Sequence, residues 1–237
     1  MNDLSPRVPL MTYLIRGPVA LLDEYAVYQQ LMSYWHDTMH DDVYLIVADD
    51  WTGAAKPRMT INDKERKLTE EPDLTIGSGK NAQKYKMDLI PPALIVARYF
   101  AEQQAKLDQL VAVAEETARA VEEYIEEHAV EDGLLADAMD DDKITKALVA
   151  ARLKAVKRGG DPGEVRSLQH ATMLYNAETA AKKAVKDAQV EVDLATITKY
   201  GDLTEDDIKT LATDDKWRAT VVHRVAGEAE ALTLDLV

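Results

Sequence analysis

Apolar positions recur along this chain at helical intervals for most of its length. From about Leu21 to Met39, the residues Tyr25, Tyr28, Leu31, Met32, Trp35 and Met39 follow in steps of three and four, which predicts an amphipathic helix closed by Asp41-Asp42. The next run, Val43-Tyr44-Leu45-Ile46-Val47, is short, β-branched and bounded by Asp49-Asp50, the pattern of a buried strand. Between Trp51 and Lys84 the residues Thr, Lys, Asp, Pro and Gly dominate, so irregular structure is expected, with one short strand around Met59 to Ile61. Lys84 to Ile90 alternates polar and apolar before Pro91-Pro92, where the first unit should end.

The strongest periodicity follows the two prolines. Val96, Phe100, Gln103, Leu107, Leu110, Ala114, Thr117, Val121, Tyr124 and His128 alternate steps of four and three, a heptad seam on one helix from about Ala93 to Ala129. An apolar seam requires a covering helix. That makes Val96, Phe100, Leu107, Leu110, Val121 and Tyr124 the candidate contact residues, facing either another chain or an antiparallel helix of this one. A second long helix is announced by Asp161-Pro162-Gly163-Glu164, with Asp161 as cap, Pro162 in the first turn and Glu164 completing a capping box. Its stripe is Leu174, Ala177, Ala181, Val185, Ala188, Val192 and Ala195, small enough for a partner helix to approach closely. A shorter helix from Lys143 to Arg158 stops at Gly159-Gly160. Tyr200-Gly201 reads as a helix end, Thr204 as a new cap, and a last helix from near Asp214 carries Trp217, Val221, Val225 and Leu232. The expected fold is mainly α. It comprises a small α/β unit (1–92) with one or two short strands, a long-helix hairpin (93–199) forming an antiparallel coiled-coil-like pair with a short basic helix between its arms, and C-terminal helices (200–237) packing back on the first unit.

Charge changes this picture in one place. Asp plus Glu number 43 against 28 Lys plus Arg, so the surface repels nucleic acid overall and any DNA contact must be local. Fourteen acidic residues lie between Glu102 and Asp142, opposed only by Lys106 and Arg119. Lys143 to Arg158 inverts the sign, with six basic residues and no acidic one. At about 100° per residue, Lys143, Lys146, Lys154, Lys157 and Arg158 share an arc of about 120°. Pairing with the preceding Glu-rich helix is the favoured fate of that stripe, and contact with a DNA backbone is the functional alternative. The absence of cysteine excludes disulfides, thiolate zinc sites and cysteine nucleophiles. No stretch approaches about 18 consecutive apolar residues, so no membrane association is expected and the cytoplasm is the default compartment.

Catalytic patterns fail at identifiable residues. His36 and His40 stand one turn apart around Asp37, like the helical zinc motif, but the intervening acid is Asp and no third ligand is identifiable. Gly77-Ser78-Gly79-Lys80 lacks the first glycine of a phosphate loop, which would fall at Leu74, and Asn81 stands where Ser or Thr is needed. Ile90-Pro91-Pro92-Ala93 has the two prolines of the tetrad that holds a flipped base, without its polar acceptor or its stacking aromatic. Neither a glycine-rich cofactor turn nor a nucleophile elbow is visible, so an active site in this chain is not expected and a hydrolase or metalloenzyme around His36 and His40 is a minor alternative.

Several stretches, in order, resemble the C-terminal region of the methylation subunit of type I restriction-modification systems. They are Tyr25 to Trp35, Thr38 to Ile46, Tyr85 to Ile95, Glu126-Glu127-His128 with Glu131 to Leu135, Lys199-Tyr200 with Leu203 to Lys209, and Asp215-Lys216-Trp217. The likeness spans about Leu21 to the C-terminus. It implies a parent enzyme that transfers a methyl group from S-adenosylmethionine to adenine in DNA, guided by a specificity subunit and able to join a restriction subunit. The cofactor-binding and tetrad motifs of that family lie upstream of the matched region, so the resemblance implies no cofactor in this chain. What it implies here is an assembly module, whose long helices contact the specificity subunit or a second methylation subunit and reach DNA only through the complex. A helical module binding the DNA backbone directly through residues 143–158 is the alternative.

Overall fold

The computed structural model describes residues 24–63, 68–77, 79–129, 133–140, 143–157 and 159–234. Its helices are α1 (Glu24–Tyr34), α2 (His40–Ala54), α3 (Pro92–Tyr99), α4 (Ala101–His128), α5 (Lys146–Val156), α6 (Pro162–Gly201), α7 (Glu205–Thr210) and α8 (Ala219–Leu234). Short strands β1 (Arg58–Met59), β2 (Asn62–Asp63), β3 (Leu68–Thr69), β4 (Leu74–Ile76) and β5 (Gln83–Lys86) lie between α2 and α3. The fold is mainly α, and the chain divides into two compact units. One comprises residues up to Tyr99 together with Ala195 onward, and the other runs from Phe100 to Leu194.

In the first unit α1 passes through a π turn, Trp35–Met39, directly into α2. The aspartates at 41 and 42 therefore do not end the helix, and the expected strand at Val43–Val47 is helical instead. Its burial follows a helical period: Asp42 is buried and Val43, Leu45 and Ile46 are half-buried, while Tyr44, Val47 and Ala48 face solvent. Local β propensity loses here to a tertiary anchor. The Asp42 carboxylate accepts from Lys216 Nζ at 2.8 Å and from Trp217 Nε1 at 2.7 Å, and Lys216 also donates to the Leu89 carbonyl at 2.7 Å.

The three-stranded antiparallel sheet has the order β1-β5-β4, with Arg58 opposite Lys86 and Leu74 opposite Tyr85, and β2 pairs with β3 in a separate hairpin. The expected strand near Met59 is present as β1. Arg58 ties the region together by gripping Asp88 (2.5 and 2.9 Å) and Glu70 (2.7 and 2.9 Å) with its guanidinium. Two paired forks of this kind fix direction as well as distance.

The C-terminal arm starts at a capping box in which Thr204 and Asp207 satisfy each other's backbone N–H groups. α7 then continues through a π segment, Leu211–Arg218, into α8, so the last helix starts at the Thr204 cap and not near Asp214. Tyr34, Val221 and Val225 form its buried contact with α1, flanked by Val27, Met39 and Trp217.

In the second unit the long helices α4 and α6 pack as the antiparallel pair that the two stripes predict. The helix expected from Ala93 to Ala129 is interrupted at Phe100 (φ −129, ψ 28), where α4 takes its start. Tyr124 fixes the register of the pair: its hydroxyl lies 2.8 Å from Ser167 Oγ and its ring packs on His128 and His170. Leu135, Ala138, Val149, Val156, Leu168 and Ala171 form the core beneath α5. Asp161 caps α6 as expected, accepting from the N–H groups of Gly163 and Glu164. Glu164, however, serves no capping box: its carboxylate takes Arg152 Nε at 2.6 Å, while Arg152 also reaches Asp137 at 2.6 Å. A charge-assisted hydrogen bond from a guanidinium outcompetes one from a neutral backbone N–H.

Candidate functional site: an exposed aromatic helix face

The heptad seam of α4 is covered within its own unit. Leu107 and Val121 are buried, Leu110, Ala114, Thr117, Tyr124 and His128 are half-buried, and Gln103 alone faces solvent. Of the candidate contact residues, Val96 lies on α3 in the first unit and Phe100 at the break, both half-buried. A partner could reach this seam only by displacing α6.

Among the described residues, α1 and α2 carry a large uncovered apolar face. Tyr25, Tyr28, Met32, Trp35, Tyr44 and Val47 keep between 40% and 81% of their surface exposed. On α1 they occupy the side opposite Val27 and Tyr34, so this helix is apolar on both sides, a pattern that ordinarily marks a helix with partners on both sides. The π turn extends the stripe. Holding one residue more than an α turn, it sets the helix back by about 100°, and Tyr44 and Val47 fall in line with Tyr25 and Tyr28. From Tyr25 to Val47 the face is about 33 Å long. At roughly 200 Å² per ring, the exposed parts of its three tyrosines and Trp35 amount to about 500 Å². Leu31, Met32 and Val47 carry it past the roughly 300–600 Å² of a monomer's largest apolar patch.

The inner side of the same helix is held firmly. Arg224 of α8 stacks 5.0 Å over the Tyr34 ring and reaches Asp37 at 3.3 Å, and Gln30 donates to Glu228 at 2.6 Å. Burial pushes the Tyr34 phenol above its ordinary pKa, opposed by its hydrogen bond with Thr220. The outer aromatic face is thus presented by a fixed rod, which lowers the entropy cost of docking.

His36 and His40 stack with ring centroids 6.1 Å apart on this exposed rod, and His40 lies 3.1 Å from Asp41. Among the described residues no group of three His, Asp or Glu side chains is placed to hold a metal ion. Pro91 and Pro92 lead into α3, beside a buried Leu89 and Ile90. A pocket of about 360 Å³ opens among Thr52, Ala55, Lys56, Pro57, Tyr200 and Ile208. Its hydroxyls are committed elsewhere, Thr52 to Asp50 at 2.7 Å and Tyr200 to the Ile90 carbonyl at 2.5 Å, and burial, with the nearby Asp73 charge, raises the Tyr200 pKa above its ordinary value. Neither group is poised for acid–base work.

The basic stripe resolves into two parts. Lys143 precedes the Thr145 cap of α5, in a β-bridge with Asp140, so it does not share the helix face assigned to it. Lys146, Lys154 and Lys157 do lie on or at the end of α5 and are exposed, and Arg158 lies outside the described residues. Pairing with α4, the favoured expectation, does not occur among the described residues: Arg152 takes Asp137 and Glu164, and the lysines meet no carboxylate. Among the described residues, no helix is long and apolar enough to cross a membrane.

The exposed rod was missed because its spacing matches that of a core-facing stripe. The legible signal was the second apolar set on α1, Val27 and Tyr34, which already fills the inward side. Comparisons with protein-family models, curated proteins and solved structures find no significant match to this chain.

Proposed function

We propose that this chain is a non-catalytic assembly module of a type I restriction-modification adenine methyltransferase, joining its methylation subunit to the specificity subunit or to a second methylation subunit. The observation that carries the proposal is the uncovered aromatic face of α1 and α2, held from behind by Arg224 and Glu228 of α8 through Asp37 and Gln30. Aromatic anchors on a preordered helix are the residues that dominate protein interfaces. The ordered resemblance from Tyr25 to Trp217 supplies the identity of the parent enzyme, whose S-adenosylmethionine chemistry would belong to residues outside this chain. In this reading the interface moves from the α4 seam to the outer side of α1.

Co-expression with the specificity subunit tests it. Tyr28→Asp with Trp35→Asp should leave the chain folded, because both rings face solvent, and should weaken the complex by at least about 30-fold, the scale of losing a hot spot of 2 kcal/mol. Retention of full assembly by the folded double variant would rule this face out. Self-association abolished by the same variant would identify the second methylation subunit as its occupant.

A further inference from the structure

We infer a second interaction surface, built by α5 and α6, that binds the phosphate backbone of a nucleic acid. It arises from a juxtaposition that sequence spacing does not show. Lys146 Nζ donates to Thr179 Oγ1 of α6 at 3.0 Å, and Tyr175 donates to the Ile144 carbonyl at 3.1 Å, so the start of α5 lies along the middle of α6. One and two turns beyond Thr179 on that side stand Lys183 and Lys186, both exposed. The lysines of the two helices therefore extend one basic surface within the second unit.

Three features separate this surface from an ordinary solvated helix face. Among the described residues its lysines form no ion pair, Lys146 meeting only the neutral Thr179 hydroxyl, while Arg152 takes Asp137 and Glu164, and Lys182 takes Glu178. It is a local inversion on a chain of net charge −15, so it is not a by-product of general basicity. It is also extended: Lys146 to Lys157 span about 16 Å along α5, the length of about five steps of a DNA strand at 3.4 Å each. A single carboxylate or phosphate ion would engage one of these cations, whereas a row of regularly spaced phosphates engages several together. The chemistry is recognition of the phosphate backbone, which carries no sequence information.

The test is binding of the full chain to a 20-base-pair duplex, measured by fluorescence anisotropy from 50 to 200 mM salt. About four lysine–phosphate contacts give a log–log salt slope near −4 and a loss of affinity of the order of 100-fold across that range. Lys146→Gln with Lys154→Gln and Lys157→Gln should flatten the slope by about 3. Lys56→Gln with Lys80→Gln and Lys84→Gln removes the same charge elsewhere and should leave binding unchanged. No binding at 50 mM salt, or equal weakening by both triple variants, would overturn the inference. Displacement of the duplex by polyglutamate at matched charge concentration would also overturn it, in favour of an acidic protein partner. These outcomes do not depend on assembly through α1.

Discussion

Removing the Asp42 carboxylate should be among the most damaging single changes in the first unit. Asp42 and Lys216 keep only 4% and 11% of their side-chain surface exposed, and the Trp217 indole N–H also ends on Asp42. Asp42→Ala leaves the Lys216 ammonium with the Leu89 carbonyl at 2.7 Å as its remaining partner and orphans the indole N–H. Breaking a buried ion pair from one side costs about 3–5 kcal/mol, and the unsatisfied N–H belongs to the same loss and does not add to it in full. For a chain of this size that corresponds to a fall in Tm of roughly 6–20 °C. Urea denaturation at pH 7, followed by tryptophan emission, measures it, since Trp51 and Trp217 pack against each other beside the anchor. Asp42→Leu combined with Lys216→Met removes both charges together and should recover most of the loss. A cost below about 1 kcal/mol for Asp42→Ala, or a double variant as unstable as the single, would refute the idea that this pair fixes α2 as a helix.

Other outcomes follow from individual residues. Hydrogen bonds from Arg58, and then from the Ile61 N–H, hold the Glu70 carboxyl down at about 2 against an ordinary 4.5. Its stabilisation is thus complete above about pH 4.5 and is lost as pH falls toward 2, and Glu70→Gln should flatten the urea midpoint against pH across that window. Asp50 sits at φ 59, ψ 179, a region natural to glycine, while its carboxylate caps Thr52 and Gly53. Asp50→Gly should therefore exceed Asp50→Ala in stability by about 1–3 kcal/mol, measured by the same denaturation, and equal values would remove the strain from the account. Thr196 buries a hydroxyl that meets no hydrogen-bond partner among the described residues, so Thr196→Val should be neutral or stabilising by about 1 kcal/mol, and a clear loss of stability would mean that the hydroxyl is used.

What could be read in advance depended on how far each signal was local. The stripes of α4 and α6 were legible because a heptad repeat sustained over many residues leaves little alternative to a helix pair, and the caps at Asp161 and Thr204 act within three residues. Val43 to Val47 misled for the opposite reason. Its β-branched composition is a local preference, whereas the helix is set by Lys216 and Trp217, more than 170 residues away. The same distance problem hid the site. Whether Tyr25, Tyr28 and Trp35 faced a core depended on which side of α1 met Val221 and Val225. Spacing finds both faces of such a helix but cannot say which one is covered. For the basic stripe, helical phase grouped Lys146, Lys154 and Lys157 correctly, but the Thr145 cap that excludes Lys143 and the approach of Lys183 needed three dimensions.

Hydroxyl-radical footprinting of the chain, alone and bound to the specificity subunit, reads out whether assembly buries the outer side of α1 and α2. Met32, Trp35, Tyr25, Tyr28 and Tyr44 should lose most of their labelling in the complex, while Met173, exposed in the other unit, keeps its own. A complex that forms with Met32 and Trp35 labelled as fully as in the free chain would contradict the assignment of this face.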